Sequence, residues 1–307
     1  MRISTQSFYE QSRTAMGGQQ SSLLRVQQQI GAGTKILAPS DDPLGATRAL
    51  AVSQSIALTA QYAASRNQAT QTLSLEENVL QSVTTVLQNV KTSLIAAGNG
   101  TFTDTDRATM ATTLQSSLDQ LQGLANSVDG NGQFLFAGFK SGSPPFASQA
   151  DGGIKYVGDQ GQRLMQVDVS RQMAGTDDGR SVFQRDGNDV FAAIQDVIAA
   201  LNTPVEGAGA VGQAMVVDAL AAANRNITSA HDNVLTVRSS VGARLQELDA
   251  LAVTGDSRTL YDKSYLSDLQ DMDYSSAIAE YYQRQTALQA SQQTFVKIQQ
   301  IALFNYL

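Results

Sequence analysis

The chain has 307 residues, a formal net charge of −7 and no cysteine. That length supports two or three compact units. The acidic balance argues against nucleic acid as the main partner, since phosphate binding needs clustered Lys and Arg, and the missing thiols exclude disulfides and thiolate metal sites.

Charged residues make up 16% of the chain, below the ~25% of ordinary domains. The polar surface therefore rests on Gln, Ser, Thr and Asn, which repel one another weakly and suit close packing of copies. The opening MRISTQSFYEQSRTAM lacks the apolar stretch of a Sec signal peptide. No run approaches the ~18 apolar residues of a membrane span, so no membrane partner is expected.

Apolar residues recur every seven positions from Ile3 to Ile30: Tyr9, Met16, Leu23 and Ile30. The companion row is Ser12, Gln19 and Val26, so the spacing predicts a helix with a half-polar coiled-coil seam. Gly31 and Gly33 end it. In LAPSDDP, Ser40, Asp41 or Asp42 can cap a second helix, with Pro43 in its first turn.

That helix is predicted over 43–97, with a 3-4 repeat of Leu73, Glu76, Leu80, Val83, Leu87, Val90, Leu94 and Ala97. A third helix starts at Asp104 to Asp106 and carries Ala111, Leu114, Leu118, Leu121, Ala125 and Val128 on one face. DGNG at 129–132 stops it. Between 133 and 187, strand-length apolar runs such as QFLFAGF and IKYVGDQ alternate with Gly, Pro and Asp turns, which predicts a small β-rich insert.

Helical periodicity returns over 188–202 and again over 211–253, where Val216, Leu220, Ala223, Ile227, Ala230, Val234, Val237, Val241, Leu245, Leu248 and Ala252 keep the rhythm. TGDS at 254–257 predicts a break. A last helix follows from about 258 to 306. Its seam reads Tyr281, Leu288, Phe295 and Ala302 in one row, and Ile278, Gln285, Gln292 and Gln299 in the other. The fold class is mostly α: a long coiled-coil-like bundle built from N- and C-terminal segments, with a β insert. The outermost helices have diluted seams and are marginal alone, since most helical stability comes from packing. Either they finish their burial against something outside the monomer, or they form a terminal hairpin within their own chain.

Candidate chemical groups carry bland readings. His231 is the single histidine, which makes a metal site or a Ser–His–Asp set implausible. Asp268, Asp271 and Asp273 lack EF-hand spacing and read as a solvated face. GDQGQ at 158–162 lacks the ending of a phosphate loop. No cofactor is expected, and nothing in 133–187 pairs a nucleophile with a base, so an enzyme is not expected either.

RISTQ at the start, SDDP opening the second helix, QFLFAGFKSGSPPF followed by YVGDQGQRLMQVDVS, and the ending LFNYL together resemble the flagellin superfamily of axial proteins, most closely its hook–filament junction branch. GAG at 31–33 departs from the family's usual STG at that turn. The resemblance implies a structural subunit of the bacterial flagellum that polymerises through its terminal helices; flagellin itself and a cytosolic coiled-coil adaptor are the alternatives. It implies a polymerisation domain of 1–40 with 258–307, a helical bundle of 41–132 with 188–257, and a β-rich surface domain of 133–187. Copies of itself, a neighbouring hook-associated protein, flagellin and an export chaperone at the C-terminal region are the implied partners. The implied location is extracellular, reached through flagellar type III export. The assembly residues expected are Tyr9, Met16, Leu23 and Ile30 at the front, and Tyr281, Leu288, Phe295, Ile298, Ile301 and Phe304 at the back.

Overall fold

A computed structural model describes residues 2–98, 102–150, 152–205 and 209–304; the side chains of residues 2–6, 8, 186, 209–211 and 301–304 lie outside the description. In chain order the elements are α1 (Arg2–Ala32), α2 (Pro43–Ala97), α3 (Asp104–Ala125), β1 (Phe146–Ser148), β2 (Ile154–Tyr156), β3 (Leu164–Asp168), β4 (Arg171–Ala174), α4 (Gly179–Phe183), a 3-10 turn (Arg185–Gly187), α5 (Val190–Asn202), α6 (Gly209–Gln270) and α7 (Tyr274–Phe304). The chain is mostly α, with a small β insert, as the periodicity predicts.

It divides into two compact units. One comprises Met1–Thr59 with Ser257–Leu307, the other Ala60–Asp256. The second holds a continuous apolar core. Every member of the predicted α2 stripe, from Leu73 through Glu76 to Ala97, is buried, and so are Leu114, Leu118 and Leu121 of α3 and Val216, Leu220, Ile227, Val234, Val241 and Leu248 of α6. A 3-4 spacing keeps such residues on one helical face, and the stripes meet there.

α3 is shorter than predicted. It ends at Ala125 because Asn126 turns away to hold β1: its Nδ2 donates to the Phe146 carbonyl and its Oδ1 accepts the Phe146 N–H, each at 2.9 Å. Val128 thus lies beyond the helix and is exposed.

The insert has less sheet than its apolar runs suggest. β1 pairs with β2, and β3 with β4, as two separate antiparallel hairpins. QFLFAGF forms no strand; Phe134 makes an isolated bridge to Val128 and the chain then turns. Leu135, Phe136 and Ala137 are all buried, and consecutive buried side chains do not fit the two-faced alternation of a strand. Phe136 instead enters an aromatic cluster, edge-on to Phe183 at 5.5 Å.

The predicted break at TGDS is wrong: α6 runs through 254–257 and stops at Gln270. Gly255 is buried because Arg66 of α2 lies against it, with a guanidinium nitrogen 2.5 Å from where a Cβ would sit. Arg66 is itself buried and donates from Nη1 to the carbonyl of Val167 in β3 at 3.0 Å. Gly255 therefore makes room for a side chain and does not end a helix. Gly255→Ala is expected to lower the denaturation midpoint, although an unhindered helical Gly→Ala raises stability by roughly 0.5–1 kcal/mol. A urea titration checks it, and an increased midpoint would show that Arg66 yields freely.

Candidate functional site

α1 and α7 pack against each other, and two contacts show that they run antiparallel. At one end the rings of Tyr9 and Phe295 meet edge to face, centroids 5.8 Å apart at 84°. At the other, the Met272 N–H donates to the Gly33 carbonyl at 3.1 Å. Stepping seven residues up α1 and down α7 from the ring contact brings Met16 level with Leu288, and Leu23 level with Tyr281. Tyr9, Met16, Leu23, Ile30, Tyr281, Leu288, Phe295 and Ile298 are all half-buried along this pair. Ile301 and Phe304 have side chains outside the described residues. The companion row of α1 is placed as predicted, with Ser12 and Gln19 half-buried and Val26 buried.

The companion row of α7 is not. Ile278, Gln292 and Gln299 are exposed, Gln285 is half-buried, and the row facing inward is Ala277, Arg284, Ser291 and Ile298. A one-residue shift turns a helical position by ~100°. α7 carries apolar residues on more than one side, so its stripe cannot be placed from the sequence alone.

The end of the pair is stitched by backbone. Gly33 takes φ +72 and its N–H bonds to the Gln29 carbonyl at 2.9 Å, ending α1 with the left-handed cap that favours glycine. Lys35 N–H donates to the Gln270 carbonyl at 2.8 Å, and Thr34 bridges Asp271. The three acidic residues predicted as a solvated face make this junction. Asp268 offers its carbonyl to Lys35 Nζ at 2.5 Å. Asp273 caps α7, accepting from the Ser275 N–H at 2.9 Å; the Ser276 hydroxyl, then the Ser276 and Ser275 amides, hold its carboxyl below the usual range. Of the candidate caps for α2, Asp42 takes the role, accepting from the Gly45 N–H at 2.9 Å. Asp41 instead binds the Leu37 and Ala38 amides and pairs with Arg25 of α1.

The unit holding this pair has little core. Among its described residues the buried apolar side chains are Val26, Ala49 and Ala277 alone. Large apolar side chains lie exposed on it: Leu44, Leu50 and Leu58 on α2, Leu260 and Tyr261 on α6, and Tyr274, Ile278 and Tyr282 on α7. A groove of about 480 Å³ lies between α1 and α7, lined by Ala15, Gly18, Gln19 and Ala287 among others. The buried Oε1 of Gln19 has no donor there. Of the outward set on α7, the heptad rows of the sequence contain Ile278, as a seam residue, and neither Tyr274 nor Tyr282. Tyr274, Ile278 and Tyr282, four residues apart, were the available signal.

The remaining candidates are structural. His231 is half-buried on α6, with Nδ1 3.6 Å from the Asp232 carboxylate. Asp159 of GDQGQ accepts from the Phe139 and Gly161 amides at 2.9 and 2.8 Å, which keeps its carboxyl below the usual range and folds the turn.

Residues 3–141 match the bacterial flagellin N-terminal helical region family. Over 317 aligned residues the chain is 42% identical to flagellar hook-associated protein 3 of Salmonella typhimurium and 39% identical to flagellar hook-associated protein 3 of Escherichia coli, covering 99% of both partners in each case. The fold is similar to that of the flagellar junction protein FlgL from Legionella pneumophila, at 20% identity and a TM-score of 0.64, over 73% of this chain and 99% of that one.

Proposed function

We propose, from a chain that belongs to the flagellar hook-associated protein 3 family, that its α1–α7 pair completes its burial against other subunits of the flagellum. The protein is a structural subunit of the hook–filament junction and a component of the flagellum. The observation that carries the polymerising role is the thin core of the unit comprising Met1–Thr59 and Ser257–Leu307, with apolar side chains exposed on three of its helices. Contiguous exposed apolar surface marks interaction sites, and Tyr274, Ile278 and Tyr282, at four-residue spacing, share one face of α7.

In this reading the segments 1–40 and 258–307 contact copies of the same chain, a neighbouring hook-associated protein and flagellin. The subunit leaves the cell through the flagellar type III channel, escorted by a chaperone on its C-terminal region. Full-length identity to hook-associated protein 3 favours the junction over the filament itself. The decisive experiment is a clean deletion of the gene in its source bacterium, with electron microscopy and an assay for flagellin in the medium. Bare hooks with soluble flagellin are expected. Hooks with no flagellin made would identify the filament subunit instead, and normal filaments would overturn the reading.

A further inference from the structure

The strap between β4 and α4, residues 175–178, is held to the helices by one cluster of charged groups. Glu76, on α2, has no exposed surface. Its Oε1 accepts the Asp177 N–H at 3.1 Å, and its Oε2 has no partner. The Asp177 carboxylate pairs with Arg244 of α6, which also donates to the Ala174 carbonyl at 3.2 Å. Beside Glu76 on α2, Glu77 accepts two bonds from Arg238 of α6, at 2.9 and 2.6 Å. The titratable and charged groups around Glu76 are therefore Asp177 from the strap, Arg244 and Arg238 from α6, and Glu77 from α2.

Two carboxyls, Glu76 and Asp177, thus compete for one guanidinium, that of Arg244. As a neutral acid Glu76 leaves Arg244 to Asp177. As a carboxylate it would be a second buried negative charge with one hydrogen bond, an unfavourable arrangement unless a cation or water reaches it. Lifting the strap supplies water. We propose that Glu76 is a proton-operated latch: protonated, it holds the strap on the helices, and ionised, it releases the strap and with it the hold of α2 and α6 on the adjoining end of the β insert.

Burial first, and the Asp177 charge next, push the Glu76 carboxyl from 4.5 up to about 8. With the strap lifted, the solvated carboxyl ionises near 4.5. The closed form therefore binds more protons than the open form between those values. Closure is firmest below about 4.5, weakens as pH rises, and levels off above about 8. Across that window the opening constant rises about tenfold per pH unit, the slope of a single proton.

The test is amide hydrogen exchange of Asp177 in the full chain from pH 5 to pH 9. Base-catalysed exchange alone accelerates about tenfold per pH unit, so the latch predicts about a hundredfold per unit up to pH 8 and tenfold beyond. Glu76→Gln keeps the acceptor for the Asp177 N–H and cannot ionise, so it should show tenfold throughout. Tenfold acceleration of the wild-type amide at all pH values overturns the proposal, whether or not the variant folds. A hundredfold slope shared by amides in the middle of α2 would mean global unfolding, and would overturn it equally.

Discussion

Phe295→Asp is expected to abolish incorporation of the subunit into the flagellum while leaving the unit of Ala60–Asp256 folded. Phe295 lies half-buried in the α1–α7 seam with its ring against Tyr9. Losing a half-buried ring removes roughly half of the 1.5–3 kcal/mol that full burial of such a side chain contributes, and the lost edge-to-face pair adds about 0.5–1.5 kcal/mol. The carboxylate would meet the Tyr9 ring. A pair whose buried apolar side chains, among the described residues, are Val26 and Ala277 has little reserve to absorb this. The core of the other unit contains no seam residue, so its unfolding transition should be unchanged. Electron microscopy of a complemented deletion strain and thermal unfolding of the purified chain read the two effects. Normal filaments would show that the seam is not needed for assembly. Tyr282→Asp is the companion test. Tyr282 is 61% exposed on α7, so the pair should survive, and failure to incorporate would place a neighbour on that outer face.

Phe146→Ala should remove about 3–5 kcal/mol from the stability of the larger unit, the range for truncating a fully buried aromatic. Phe146 is 1% exposed. Its ring centroid lies 5.2 Å from Tyr156, 5.4 Å from Phe183 and 5.0 Å from Phe191. It therefore joins β1, β2, α4 and α5. Gly179 packs so closely on the ring that a Cβ there would fall 2.7 Å from it. Denaturant unfolding measures the loss. A cost below about 1 kcal/mol would mean that the cluster collapses into the cavity. Phe139→Ala, at a ring that is 63% exposed, should change stability by a few tenths of a kcal/mol at most, in keeping with surface substitutions.

The long helices were legible because their signals are local. The α2 stripe from Leu73 to Ala97 and the α6 stripe from Val216 to Leu248 repeat on a 3-4 spacing, and only a helix turns such residues to one side. Pro43 and Ala97, the ends of α2, could be named from SDDP before it and GNG after it. The inward row of α1 was equally plain, since one heptad row, Tyr9 to Ile30, dominates it. α7 misled because its apolar residues lie on more than one side, and the row facing α1 was chosen by the partner.

What the sequence by itself determined is therefore the helical class, the β insert between two helical halves, the half-polar seam of α1 and the resemblance to axial proteins of the flagellum. Each follows from periodicity, punctuation or motif, which are carried by neighbours along the chain. What only the tertiary structure decided depends on groups far apart in sequence. Gly255 stays helical because Arg66 comes to lie on it. The break falls at Asp271 because Gly33 and Lys35 bond there. Phe136 leaves strand geometry to join Phe146, Tyr156, Phe183 and Phe191 in one aromatic cluster. Glu76 looked like an ordinary polar member of a heptad, and became a buried acid because Asp177 and Arg244 arrive from elsewhere in the chain. Local spacing records which face a side chain takes. It holds no record of what will be packed against that face, and the energies of burial and charge are set by that packing.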